Sequence, residues 1–86
     1  MTHADSIKTI YNGLVNKYQF DQFAMQENQT PINTRYFLSE KSREHMTQSL
    51  DMLSRFAHDL GEPELAGKIL STAANLGADA VPPMPM

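Results

Sequence analysis

The sequence predicts an all-α fold: a small three-helix bundle with a C-terminal antiparallel helical hairpin, an irregular aromatic connection and a Pro-rich tail. Apolar residues recur at helical spacing in three segments of the 86-residue chain. Gly61 and Pro63 stand between the second and third segments. Glycine is favoured just past a helix end and proline in a first helical turn, so only about two residues separate these helices. So short a connection predicts that the two helices form an antiparallel hairpin.

The first helix is predicted by an N-terminal apolar stripe and a capping signal in front of it. Thr2 and Asp5 have the spacing of a capping box, in which each side chain accepts a hydrogen bond from the other residue's backbone N–H. The stripe comprises Ile7, Ile10, Tyr11, Leu14, Val15 and Tyr18. After Tyr18 the apolar spacing changes phase, so we expect the helix to bend or end there. Two alternatives follow: a short helix that starts near Asp21, or an extended stretch.

Residues 26–38 are predicted to form the irregular connection. Residues 26–31 are polar and end in a proline, which is typical of a loop. Several of the following residues favour strands, namely Ile32, Thr34, Tyr36 and Phe37. A small β-hairpin across the loop is therefore one alternative. The other, which we favour, is an irregular segment whose Tyr36, Phe37 and Leu38 close one end of the bundle.

The second and third helices each have a predicted start and end. Ser39 is the predicted N-cap of the second helix, which ends at Gly61. The third helix runs from about Pro63 to Leu76, with Gly77 as its C-terminal stop. The apolar stripes of the two helices face each other across the hairpin. We therefore expect a hairpin core of Leu53, Phe56, Leu60, Leu65, Ile69 and Leu70.

Residues 79–86 form a predicted Pro/Met-rich tail that follows a single helical domain over residues 1–78. Three prolines fall within residues 81–86, and proline breaks a helix when it occupies the interior. We expect either a polyproline II segment or a disordered end.

The composition and net charge of the chain indicate its compartment and exclude some classes of binding partner. The chain has no cysteine, which excludes disulfides and sulfur-ligated metals and favours a cytoplasmic protein. No apolar run approaches the roughly 20 residues of a membrane span, and the N-terminus does not resemble a signal peptide. The formal net charge is −3, so the chain as a whole does not attract phosphate backbones or anionic lipids. We expect neither a nucleic acid nor a membrane partner.

No arrangement of residues points to catalysis, a cofactor or a metal. His45 and His58 would lie about 20 Å apart along a straight helix, and His3 belongs to another segment, so no two histidines have ligand spacing. Ser42 precedes His45 by one helical turn, but no third group is placed to orient the histidine. The carboxylates are scattered and the glycines are isolated. We therefore expect a protein without enzymatic activity, cofactor or metal.

One apolar group remains as a candidate functional site, in the segment where helical periodicity breaks. Large aromatic side chains among polar neighbours are typical of protein interfaces. A small local core beneath a loop is the structural alternative. The candidate partner-binding residues are Phe20, Phe23, Met25, Tyr36 and Phe37.

The sequence thus favours a non-enzymatic protein-binding module whose partner is another protein or a second copy of itself. Its small size and lack of catalytic motifs fit an accessory subunit, adaptor or inhibitor of a larger protein, of phage or bacterial origin. One alternative is a structural or assembly subunit of a virion or complex that forms a homo-oligomer. Another is a dimeric DNA-binding regulator, since residues 56–61 resemble the first helix and turn of a helix-turn-helix, although Glu62 and Glu64 would face phosphates with the wrong sign.

Overall fold

The computed structural model describes residues 2–27 and 31–86 of the chain. These residues form three α-helices, which are α1 (His3–Glu27), α2 (Ile32–Asp59) and α3 (Pro63–Asp79), and they contain no strand. The predicted all-α class is confirmed.

The first helix begins at the predicted capping box and continues without a break. The Asp5 N–H donates to Thr2 Oγ1 at 3.1 Å, and the Thr2 N–H donates to Asp5 Oδ2 at 3.3 Å. The helix runs on to Glu27, so the bend or end expected after Tyr18 is wrong, as are a new helix near Asp21 and an extended stretch. The inward side of this second half is occupied partly by the polar residue Gln22, which is why the apolar pattern fails there.

The second helix begins directly after Pro31, seven residues before the predicted cap. Pro31 has φ −54° and ψ 145°, and its carbonyl accepts the Arg35 N–H at 2.9 Å. The irregular connection over 26–38, the alternative β-hairpin and the N-cap at Ser39 are therefore wrong. β-Branched and aromatic residues lower helix propensity by only about 0.7 kcal/mol each or less, so a few of them do not prevent a helix. Residues 28–30 of the predicted connection lie outside the described residues.

The connection between α2 and α3 is as short as predicted. Gly61 has φ +79°, a left-handed conformation that glycine adopts without steric cost, and Pro63 begins α3. Two hydrogen bonds show the relative direction of these helices. Ser54 Oγ donates to the Ala66 carbonyl at 2.8 Å. Nearer the start of α2 and the end of α3, Arg43 Nη1 donates to the Leu76 carbonyl at 2.9 Å, so the helices pack in opposite directions.

The third helix extends past its predicted stop. Gly77 lies inside α3, and the helix ends at Asp79, followed by Ala80 with a left-handed φ of 54°. A Cβ added at Gly77 would lie 3.4 Å from Thr47 Cγ2. That distance is an ordinary contact, so an alanine would fit there, and Gly77 does not end the helix.

The core is formed by all three helices and corrects the predicted hairpin core at two positions. Leu53, Leu65 and Ile69 are buried as predicted, and Leu60 packs partly buried against them. Phe56 and Leu70 are about half exposed, so their placement in the core is wrong. Each is a sequence neighbour of a buried residue, and adjacent helical residues point about 100° apart. The buried apolar residues are Ile7, Tyr11, Val15, Met46, Leu50, Leu53, Ala57, Leu65, Ala66, Ile69, Ala73 and Leu76.

Asp79 of the predicted tail belongs to α3, whereas residues 80–86 form no helix, as the prolines predict, and they lie against α1. Tyr11 Oη donates to the Met84 carbonyl at 2.7 Å. The side-chain amide of Asn12 donates to the Met86 carbonyl at 3.1 Å and accepts the Met86 N–H at 2.8 Å. Pro83 is fully buried. These contacts contradict the alternative of a disordered end.

The first two helices extend beyond the third. The end of α3 lies beside Arg43, and the contact between Gln22 and Ser39 lies about one helical turn farther along α1 and α2. Residues 20–26 and 32–41 therefore form a two-helix projection that α3 does not cover, which we name the distal hairpin. The longest dimension of the molecule is 45 Å, close to the length of about 42 Å expected for α2 alone.

Candidate protein-binding surface

The five predicted partner-binding residues all lie on the distal hairpin. Phe20 is 68% exposed, Phe23 61%, Tyr36 69% and Phe37 57%, whereas Met25 is half-buried between the helices. We name the four exposed aromatic residues the distal aromatic surface. Both helices that carry it are regular, so these residues are exposed by their position on the helices and not by an irregular loop.

The aromatic side chains occupy one layer along the helix axes. The contact between Gln22 and Ser39 sets the register of two antiparallel helices, so Phe23 lies level with residue 38, and Tyr36 lies level with residue 25. At 1.5 Å per residue, the four aromatic residues fall within about 8 Å of one another along the axes. They form a band around the end of the molecule.

Helical periodicity assigns each aromatic residue to a side of the hairpin. Tyr36 is two turns before Arg43, on the side of α2 that contacts α3, and Phe23 is three turns after Asn12, on the side of α1 that contacts the tail. Both therefore share the face that α3 and the tail cover elsewhere. Phe20 and Phe37 are each two residues from an inward position, so they point outward at the two edges of this face.

A shallow groove of about 260 Å³ crosses this face of the distal hairpin. Tyr36 forms part of one wall and Gln26 part of the other, and Gln22 and Ser39 lie between them. Ser39 Oγ donates to Gln22 Oε1 at 2.7 Å, and Gln22 Nε2 donates to the Ser39 carbonyl at 3.3 Å. The polar floor of the groove is thus already paired within the chain, so a partner can cover it without leaving these groups unsatisfied.

Charged groups border the aromatic residues. The Lys41 ammonium lies 5.5 Å from the centroid of the Phe37 ring, within the range of a cation–π contact. Lys17 Nζ donates to Asp21 Oδ2 at 2.8 Å beside Phe20. An apolar centre with a charged rim is the usual composition of a protein interface.

Arg43 joins the distal hairpin to the end of α3, and the sequence pattern did not single it out. Its Nη1 donates to the carbonyls of Leu76 at 2.9 Å and Gly77 at 2.7 Å, and its Nη2 donates to Glu40 Oε2 at 2.7 Å. The hydrogen bond to Glu40 raises the pKa of the Arg43 guanidinium. A permanent positive charge therefore caps the carbonyl end of α3, where the helix dipole favours a cation.

A larger groove of about 590 Å³ separates α1 and α2 on the face opposite α3. Its lining includes the apolar residues Leu14 and Met46, the phenol of Tyr18, and the side chains of Ser42 and His45. Burial raises the pKa of the Tyr18 phenol, an effect that nearby Arg43 opposes. No hydrogen bond joins Ser42 to His45 in the described part of the chain. Ser42 and His45 are therefore not joined as a nucleophile and base in this structure.

Two other kinds of site are absent from the described part of the chain. Within residues 2–27 and 31–86, no three histidine or carboxylate side chains group closely enough to hold a metal ion. Among the three described helices, none combines the length and apolar character needed to cross a membrane.

Comparison of the chain with protein-family models, with curated proteins and with solved structures finds no match.

Proposed function

We propose that this protein is a non-enzymatic protein-binding module whose contact surface is the distal aromatic surface. The observation that carries the proposal is the exposure of Phe20, Phe23, Tyr36 and Phe37, each more than half accessible, in one layer at the end of a regular hairpin. Contiguous exposed apolar surface of this kind marks interaction sites. Aromatic side chains also supply a large share of interface hot spots.

The alternative of a small local core is not supported by the burial of these residues. Core aromatic residues of this chain look different, since Tyr11 is 1% exposed and its hydroxyl is hydrogen-bonded. The aromatic residues of the distal hairpin face solvent while the helices beneath them remain regular. Their exposed apolar area would lower the solubility of the protein unless a partner covers it.

The proposed class is an accessory subunit, adaptor or inhibitor, acting in the cytoplasm. The lack of cysteine supports the compartment, because small proteins of oxidising compartments usually depend on disulfides. A homo-oligomeric assembly subunit is the second candidate. It is favoured by the same surface, since a second copy would cover the aromatic residues equally well.

Site-specific photo-crosslinking in cells that encode the protein tests the proposal. The variant Phe23→p-benzoylphenylalanine places a reactive group in the distal aromatic surface. The matched control is Met52→p-benzoylphenylalanine, at a site on α2 that is 70% exposed and lies outside this surface. We expect a discrete crosslinked protein product from position 23 and none from position 52. Equal products from both positions, or none from position 23, would contradict the proposal.

A further inference from the structure

We infer that the partner on the distal aromatic surface is a second copy of this chain, bound through a two-fold axis that pairs the two distal hairpins. The inference rests on the proposed function, because it names the occupant of the same surface. In such a dimer each copy contributes the same surface, so every contact occurs twice.

The exposed aromatic area fits what a stable dimer needs. With about 200 Å² for a whole aromatic side chain, the exposed fractions of Phe20, Phe23, Tyr36 and Phe37 together amount to about 500 Å². A standard interface buries about 800 Å² per partner, and about 65% of a homodimer interface is apolar. The apolar share that a standard homodimer requires of each copy is also about 500 Å², so the contact must cover Phe20 and Phe37 at the edges of the face as well as Phe23 and Tyr36.

The shape of the molecule provides a step that a second copy can fill. The distal hairpin continues past the end of α3, and the face that carries Phe23 and Tyr36 is covered elsewhere by α3 and the tail. The step is therefore about one helix diameter high, roughly 10 Å. The hairpin of a second copy has the same thickness. When each hairpin occupies the step of the other, the four helices form a compact bundle.

Charge and polarity also permit the contact. The distal hairpin contains two acidic and two basic side chains, so it is formally neutral although the whole chain carries −3. Two copies therefore meet without the repulsion expected from the net charge. The floor of the contact face is satisfied internally by the hydrogen bonds between Gln22 and Ser39. Covering it leaves the Gln22 and Ser39 side chains with their partners.

Sedimentation equilibrium of the full chain from about 1 to 300 µM measures the dimer dissociation constant. We expect a reversible monomer–dimer equilibrium. Phe23→Ala and Tyr36→Ala each remove a hot-spot side chain twice per dimer, so each should weaken dimerisation by at least about 100-fold. Met52→Ala removes an equally exposed side chain outside the surface and should leave the dissociation constant within about twofold. Far-UV circular dichroism of each variant should match the parent and show that it folds.

Crosslinking tests the two-fold arrangement separately. The chain lacks cysteine, so Gln26→Cys introduces a single thiol beside Tyr36, and Gln48→Cys introduces one on an exposed part of α2 outside the distal hairpin. A short bismaleimide should link two copies of the first variant and not of the second.

The outcomes separate this inference from the proposed function. A chain that stays monomeric throughout, but is photo-crosslinked from position 23 to a different protein, overturns the inference and leaves the proposed function in place. A dimer that neither alanine variant weakens also overturns it, because the second copy is then seated elsewhere. A monomer that gives no crosslinked product from position 23 refutes both.

Discussion

The side chains of Gln22 and Ser39 form a hydrogen bond to each other across the α1–α2 contact. They occupy inward positions, which are held by apolar residues in the core of the molecule. The hydroxyl of Ser39 donates to Gln22 Oε1 at 2.7 Å, and both residues are half-buried. This pair sets the register of the distal hairpin without adding apolar surface. The aromatic residues of the same segment remain on the outside.

The pair predicts that removing one of the two side chains lowers the free energy of unfolding measurably. Gln22→Ala leaves the Ser39 hydroxyl without its protein partner and should lower the free energy of unfolding by about 1–2 kcal/mol. Gln19→Ala, at an exposed site on the same helix, is the control and should cost less than about 0.5 kcal/mol. Urea denaturation measures both. Equal midpoints for the two variants would show that the pair does not contribute to stability.

The corrected core predicts that substitutions at buried positions of α2 and α3 destabilise the protein more than substitutions at their half-exposed neighbours. Leu53→Ala and Ile69→Ala remove buried side chains and should each cost about 2–5 kcal/mol. Phe56→Ala and Leu70→Ala truncate half-exposed side chains and should cost about 1 kcal/mol or less. Thermal melts followed by circular dichroism rank the four variants. If the second pair is as destabilising as the first, these two residues are core after all.

The docked tail predicts a coupling between Tyr11 and the C-terminus. Tyr11→Phe removes the hydrogen bond to the Met84 carbonyl and should cost about 0.5–1.5 kcal/mol in the full chain. In a chain truncated after Pro83 the same substitution should cost close to nothing, because its acceptor is gone. A double-mutant cycle of unfolding free energies measures the difference. An unchanged cost in the truncated chain would contradict the tail contact.

The contacts of Arg43 predict a local effect at the end of α3. Arg43→Gln removes the charged donors to the Leu76 and Gly77 carbonyls and should speed amide hydrogen exchange at Ala80, whose N–H bonds to Leu76. Arg55→Gln, at an exposed site on the same helix, serves as the control. NMR-detected exchange reports both. Identical exchange rates at Ala80 in the two variants would exclude a capping role for Arg43.

Local signals made part of this fold predictable from sequence. Thr2 and Asp5 form the expected capping box, and Gly61 and Pro63 mark the turn between α2 and α3, because each signal acts within a few residues of the chain. Contacts between residues far apart in the sequence could not be predicted. The burial of Pro83 by contact with α1 and the capping of α3 by Arg43 have no local pattern.

The sequence pattern singled out the residues of the candidate site but predicted the wrong conformation for the segments that carry them, and their role in binding stays a prediction. Gln22 and Ser39 are polar residues at inward positions. They interrupt the apolar stripes of α1 and α2, although both helices continue. Strand-favouring residues after Pro31 added to the error, because their propensities are too weak to prevent a helix. Phe20, Phe23, Tyr36 and Phe37 fell outside the inward stripe because they point outward. Failed periodicity therefore marked an exposed surface and not a loop.

The most direct test of the central claim is the double variant Phe23→Ala/Tyr36→Ala, measured for association and for helicity together. The claim is that these residues form a contact surface and are not core. We predict that association with the partner or with a second copy weakens by at least about 1 kcal/mol per residue, while far-UV circular dichroism stays nearly unchanged. Lost helicity with unaltered association of the protein that still folds would contradict the claim.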